Sequence, residues 1–163
     1  MLTPEYFDEI PEMTAEVANA IFPKGNRLMK MRDELGVLFE DSEFVKLYPT
    51  KGQPAVSPSC LAMATVLQFM ENLTDREAAD AVRTRIDWKY VLALELTDQG
   101  FHYSVLSEFR DRLRKQEVGY DLLDKILTHC REKGLLKQKM QRTDATYVLA
   151  NIRILNRVEL VAE

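Results

Sequence analysis

The sequence is poor in the residues on which chemistry usually concentrates. It holds two cysteines and two histidines in 163 residues, and none of the four stands at a metal-ligand spacing from another. Cys60 and Cys130 fit neither a zinc pattern nor a disulfide framework, so both read as reduced thiols, with Cys60 a small filler inside a buried helix. His102 and His129 have no second His, Cys or carboxylate at ligand spacing and read as surface polar residues. There is no glycine-rich phosphate loop, no paired-His motif, no internal repeat and no low-complexity tract. No positively charged start runs into an apolar segment, so no signal peptide is expected and a cytoplasmic location is. The longest apolar run, over 58–70, is shorter than the ~20 residues of a membrane span and contains Thr65 and Gln68. Membrane insertion, a disulfide-stapled scaffold and a small-molecule substrate site are therefore not expected.

What is present is an ordinary globular composition with uneven charge. Hydrophobic residues make up 46% of the chain, enough for one domain, or one domain and part of a second. The net charge of −4 averages two unlike regions. Residues 1–50 carry ten acids against five bases, whereas residues 107–142 carry ten bases against six acids. A basic region of that size suits phosphate contact and equally suits a solvated helix face.

The chain is organised around 57–94. Ser57 suits the cap and Pro58 the first position of a helix running to about Asn72. Leu61, Ala62, Met63, Ala64, Val66, Leu67, Phe69 and Met70 occupy every side of that helix, which predicts a central post covered all round by neighbours. Thr74-Asp75-Arg76-Glu77 is a capping box that starts the next helix, to Arg85, with Ala78, Ala79 and Val82 inward. Two helices joined by Asn72-Leu73 must turn sharply, as in a helix-turn-helix, a corner that bundles without a nucleic-acid role also use.

Upstream, residues 1–23 form an acidic arm with three prolines and one short helix over 14–21, capped by Thr14. A helix over 26–35 should bury Leu28, Met31 and Leu35 and end at Gly36, and a short one over 42–47 should bury Phe44, Val45 and Leu47. Downstream, Asp87 opens a helix to Leu94 that faces Trp88, Val91 and Leu92 to the core. Ser104 caps a helix to about Gln116 that buries Val105, Leu106, Phe109 and Leu113 and displays Arg110, Arg112, Arg114 and Lys115. A further helix runs from about Gly119 to Lys133, with Leu122, Leu123, Ile126 and Leu127 inward and Gly134 ending it. Over 140–149 the texture changes to the near alternation of a strand, with Asp144 in its middle, where an acid is unfavourable unless something needs it. Ile154, Leu155, Val158 and Val161 then mark a closing helix.

Several segments in order carry a resemblance. Ala20-Ile-Phe-Pro-Lys-Gly-Asn, Leu47-Tyr-Pro with Gly52-Gln-Pro-Ala, Leu67-Gln-Phe-Met-Glu-Asn-Leu-Thr-Asp-Arg-Glu-Ala-Ala-Asp-Ala-Val-Arg, Ile86-Asp-Trp-Lys-Tyr, Phe101 with Ser104-Val-Leu-Ser-Glu-Phe-Arg, and Gln141-Arg-Thr-Asp together resemble the N-terminal part of bacterial insertion-sequence transposases of the DDE type, closest to the InsH-like group. The resemblance implies a mainly α fold, a multi-helix bundle with a helix-turn-helix-like corner. It implies an arm over 1–23, a helical DNA-recognition domain over 24–136 and, over 137–163, the opening strand and helix of an RNase H-like catalytic domain.

In that family three carboxylates hold two divalent metals, usually Mg2+, which activate water or a 3′-hydroxyl against a phosphodiester. By this similarity Asp144 is the first carboxylate, both catalytic and metal-ligating, although Asp144-Ala145-Thr146-Tyr147 stands where the family commonly has Asp-Ser-Thr-His. The chain reaches Glu163 before a second Asp or a final Glu, so no metal and no activity are expected of it alone. The implied partner is double-stranded DNA of terminal inverted repeats, at the nucleoid. Arg76, Arg83, Arg85, Lys89, Arg110, Arg112, Arg114 and Lys115 are the candidate contacts to phosphates and base edges. Two other readings remain: a truncated, non-catalytic interaction module that pairs with itself or with full-length transposase and inhibits it, and a free-standing helix-turn-helix regulator.

Overall fold

The computed structural model describes residues 2, 9–52, 54–115 and 118–132, and its described part contains helices and no strand. The strand expected over 140–149 with Asp144, the closing helix after it, Gly134 and the boundary between 136 and 137 lie outside the described residues. The chain divides into two compact units, 1–123 and 124–163. In the second, the described residues are the later turns of a helix spanning Val118–Glu132, where Ile126 and Leu127, expected inward, are half-buried and so is His129.

In the first unit the order is α1 (Glu12–Ile21), α2 (Arg27–Leu35), a 3-10 turn (Asp41–Leu47), α3 (Pro58–Glu71), α4 (Asp75–Thr84), α5 (Ile86–Val91) and α6 (Ser104–Lys115). The expected acidic arm is, from Glu12 onward, a docked helix. Thr14 does not cap it; the helix starts earlier, after Pro11, and the buried Thr14 hydroxyl donates to the Leu94 carbonyl at 2.8 Å, 80 residues away. The small Ala18 of the same helix lets it lie against Met29 and Tyr90. Asn26 caps α2, its side-chain oxygen accepting from the Met29 amide at 2.8 Å. That helix buries Leu28, Met29 and Leu35, with Met31 only half-covered.

The segment after Gly36 closes as a 3-10 helix, and its three-residue period explains one difference from expectation. Phe44 and Leu47 share a side and are buried, whereas Val45 points outward at 50% exposure. Phe44 lies 5.9 Å from the Phe109 ring and 6.3 Å from Phe39, which ties this turn to α6.

The central post starts as expected. The Ser57 hydroxyl oxygen accepts from the Cys60 amide at 3.2 Å, Pro58 takes the first turn, and Cys60 is buried. A second anchor was not anticipated: the buried Asp41 carboxylate accepts from the Ser57 hydroxyl at 2.7 Å and from the Ser59 amide at 2.9 Å, satisfying an amide that the helix itself leaves orphaned. The expectation of cover on every side holds in part: Leu61, Ala62, Ala64 and Leu67 are buried, while Met63 and Val66 are half-buried. Phe69 and Met70 are 40% and 37% exposed, because the elements packed on α3 leave its last turn at the surface. Asn72, at φ 54° and ψ 47°, then ends the helix in the left-handed conformation, and the Leu73 amide donates back to the Gln68 carbonyl at 3.0 Å.

The capping box forms as written: the Glu77 amide donates to the Thr74 hydroxyl oxygen at 3.3 Å and the Thr74 amide to the Glu77 carboxylate at 2.8 Å. The Thr74 amide, and the Thr74 hydroxyl donating at 2.7 Å, hold the Glu77 carboxyl below its ordinary value. Ala78, Ala79, Ala81 and Val82 bury the inner face of α4. Trp88, Val91 and Leu92 are core, as their spacing predicts, and Leu106 and Phe109 are the buried face of α6. Ser104 begins α6 without capping it; the Ser104 amide donates to the His102 Nδ1 at 3.3 Å.

Candidate functional site

The corner between α3 and α4 is wired by side chains. The Gln68 amide nitrogen donates to the Leu73 carbonyl at 3.1 Å and to the Asp75 carboxylate at 2.7 Å. Arg110, arriving from α6, lays its two terminal nitrogens on the two oxygens of Asp75 at 2.8 and 2.7 Å, a fork on a fork. Burial alone would raise the Asp75 carboxyl, but the bonds from Arg110 and Gln68 outweigh it and hold the group below the usual carboxylate range. Three helices thus meet at one carboxylate.

This clamp makes a pH prediction. A carboxyl depressed by folding contributes stability above the unfolded value of ~3.9 and loses it as pH falls through the lower folded value. Arg110 and Asp75 are each partly exposed, so Asp75→Asn is expected to cost only about 1–2 kcal/mol at pH 7. In chemical denaturation of both proteins from pH 7 to pH 3, the gap between wild type and Asp75→Asn should be constant down to about pH 5 and narrow below about pH 4. A gap independent of pH would show that Asp75 is not charged and clamped in the fold.

A second junction is built on Arg85, between α4 and α5. Its guanidinium donates to Asp87 at 3.0 and 2.7 Å and pairs with Glu71 at the end of α3. The Asn26 side chain donates to the same Asp87 carboxylate at 3.0 Å, which brings in the start of α2. The Asp87 bonds, opposed by burial and helped by Glu71, hold Arg85 charged well above its ordinary value. Lys89 is 4% exposed, and its ammonium donates to the carbonyls of Asp98 at 2.6 Å and Glu95 at 3.3 Å. Burial pushes that ammonium down against the opposing charge of Asp98. Arg85, Lys89 and Arg110 are therefore engaged by partners within the protein, Lys89 buried and the two arginines partly in solvent.

The other candidate cations face outward. Arg76, Asp80 and Arg83 form one exposed stripe on α4, at the i, i+4, i+7 spacing that keeps residues on one face. Arg83 makes one bond, from Nε to the Gln99 carbonyl at 3.3 Å, and Arg76 lies 4.8 Å over the Tyr103 ring. At the end of α6, Arg112 lies 4.8 Å over the Tyr48 ring, while Arg114 reaches Asp111 on its own helix at 2.5 Å and Lys115 is exposed. Gly100, at φ 68°, carries the chain past α4, where a Cβ would sit 3.1 Å from Val82. That close approach seats the loop 99–104 beside the stripe.

Asp144 lies outside the described residues. Among the described residues no group of three or more His, Cys, Asp or Glu is placed to hold a metal ion, and no helix is long and apolar enough to cross a membrane. The junctions at Asp75 and Arg85 and the cap at Asp41 do not show in the sequence, since the bonds that close them, Glu71 to Arg85, Asp41 to Ser57, Asp75 to Arg110 and Asn26 to Asp87, join residues 14, 16, 35 and 61 apart in the chain.

Such geometry defines a class: a small helical module whose interhelical corners are pinned by arginine–carboxylate pairs and whose fourth helix leaves a basic stripe in solvent. A family model described as a transposase domain, DUF772, matches residues 16–112, more than half of the chain. The chain belongs to that transposase domain family, and membership gives it a transposition-related role. The match spans α2 to α5 entirely and reaches Arg112 of α6. No curated protein and no solved structure matches the chain.

Proposed function

We propose that the helical unit is the DNA-binding part of a transposase, contacting phosphates with Arg76 and Arg83 of α4 and with Arg114 and Lys115 at the end of α6. The family match carries this reading, because transposition acts on DNA and the matched segment contains the whole of α4. The geometry supports the choice of residues: these cations reach solvent, whereas Arg85, Lys89 and Arg110 are engaged internally. Arg112, stacked on Tyr48, is assigned the supporting role of holding α6 to the 3-10 turn. The DNA is proposed to be the terminal inverted repeats of an insertion sequence. The resemblance supports a DDE enzyme of the InsH-like group, with Asp144 as first carboxylate of an RNase H-like domain that takes Mg2+.

The test is fluorescence anisotropy of a labelled 30-base-pair duplex against salt. Each phosphate neutralised contributes ~0.9 to the slope of log affinity on log salt. Arg76→Ala with Arg83→Ala is expected to weaken binding about tenfold near 0.1 M salt and to flatten that slope by about 2. Fold stability should change by less than about 0.5 kcal/mol, because both side chains are exposed. Absence of binding at low salt, or an unchanged slope in the double variant, would remove α4 as the contact surface.

A further inference from the structure

Where the loop 99–104 meets the α4 stripe, the rings of His102 and Tyr103 gather at the surface with the Arg76 guanidinium of that stripe. Tyr103 is 36% exposed, and His102 and Arg76 are exposed too. The His102 and Tyr103 rings lie 4.1 Å apart between centroids with 37° between their planes, and the Arg76 guanidinium lies 4.8 Å from the Tyr103 centroid. The local backbone fixes this arrangement. His102 Nδ1 accepts from the Ser104 amide at 3.3 Å and lies 2.9 Å from the Ser104 hydroxyl. A backbone N–H can only donate, so the neutral ring carries its proton on Nε2, the nitrogen not used by the cap. The loop holding the two rings is seated against α4 by Gly100, at φ 68°, where a Cβ would press on Val82 at 3.1 Å.

Capping α6 accounts for the His102 nitrogen. It does not account for a part-exposed tyrosine ring with an imidazole 4.1 Å and a guanidinium 4.8 Å from its centroid, the guanidinium standing on the same stripe as Arg83. An aromatic ring with a cation beside it is the chemistry that binds nucleobases without sequence preference, each base stacked on a π-face and its phosphate held by a neighbouring charge. Paired bases inside a duplex have no free face to offer. We infer that His102, Tyr103 and Arg76 form a stacking platform for an unpaired nucleobase of single-stranded DNA next to the duplex held by the α4 stripe. The platform rests on the DNA-binding reading above and adds to it the state of the DNA it selects. Arg83, at i+7 from Arg76 and so about 10 Å along the helix axis, is placed for a phosphate of the adjoining strand. Asp80, between them on the stripe, carries the opposite charge and leaves the two arginines as separate contact points.

The experiment compares two probes on the full chain: a blunt 20-base-pair duplex and the same duplex with a five-thymine tail, in which 2-aminopurine replaces the first tail base for fluorescence. Wild type is expected to bind the tailed probe about tenfold more tightly and to quench the 2-aminopurine, as base–aromatic stacking would produce. Tyr103→Ala should abolish both the preference and the quenching while blunt-duplex affinity stays within about threefold, and Tyr103→Phe should restore both. Circular dichroism melting confirms that the variants fold; should Tyr103→Ala not fold, His102→Ala is read the same way. A wild type that binds both probes equally overturns the platform and leaves the duplex reading standing, as does a tail preference that survives Tyr103→Ala. A wild type that binds neither probe at low salt removes the duplex reading and the platform together.

Discussion

Replacing Trp88 with alanine is expected to cost about 3–5 kcal/mol, which is most of the stability of a small domain. Trp88 is fully buried, and α5, which carries it, packs against α1, α2 and α4. Truncation to the β-carbon removes the transfer free energy of the ring and leaves a cavity that three packed helices cannot all collapse into. Its Nε1 has no hydrogen-bond partner among the described residues, so the ring contributes by volume and not by its polar atom. Trp88→Phe, which keeps an aromatic ring and gives up an N–H already unpaired, should therefore cost only about 1–2 kcal/mol. Trp88 is the single tryptophan of the chain, so tryptophan fluorescence is lost in both variants and far-UV circular dichroism in urea is the measurement. Equal losses for Ala and Phe would mean that the indole N–H, and not the ring volume, carries the contribution.

How far the sequence foretells this fold depends on how local each interaction is. The capping box at Thr74 and Glu77, the Ser57 and Pro58 start of α3 and the inward set of α4 could be read directly, because their partners lie within four residues and helical periodicity orders them. Trp88 could be placed in the core from spacing alone. Thr14 could not be placed, because a threonine near a helix start suits an N-cap as well as a buried donor, and the acceptor, Leu94, is 80 residues away. Val45 escapes its spacing for a different reason: the segment is a 3-10 helix, and the two helical periods put different residues outside. The candidate site shows the same division. Counting charges found the arginines of α4 and α6, but which of them meets a carboxylate on another helix, as Arg110 meets Asp75, is decided by the packing of α3, α4 and α6, which no local pattern encodes. The exposed stack of His102, Tyr103 and Arg76 was equally hidden, since residues 27 positions apart reveal no contact in one sequence.

Arg85→Ala is expected to be the most damaging single change among the basic residues, at about 2–3 kcal/mol. Asp87 is buried and Glu71 half-covered, so removing the guanidinium leaves two carboxylates facing each other with only Asn26 and the Trp88 amide still donating to Asp87. Breaking a fully buried pair costs about 3–5 kcal/mol, and the partial exposure of Arg85 and Glu71 reduces that figure through solvent screening. Arg85→Lys should recover little, because a single ammonium cannot bridge both carboxylates with the geometry of the fork. The check is a double-mutant cycle in urea with Glu71→Gln. A coupling above about 1 kcal/mol supports the bridge, and a coupling near zero means that Arg85 acts only on Asp87. Set beside Arg83→Ala, which touches an exposed residue two positions earlier, the comparison separates two uses of positive charge on one helix. Arg85 should change the unfolding midpoint with duplex affinity unchanged in the folded fraction, and Arg83 should do the reverse. A helix end that holds the corner closed with one arginine and offers another to solvent would, on the DNA-binding reading proposed above, meet the duplex as a rigid surface, because the charge proposed to bind is not the charge that folds.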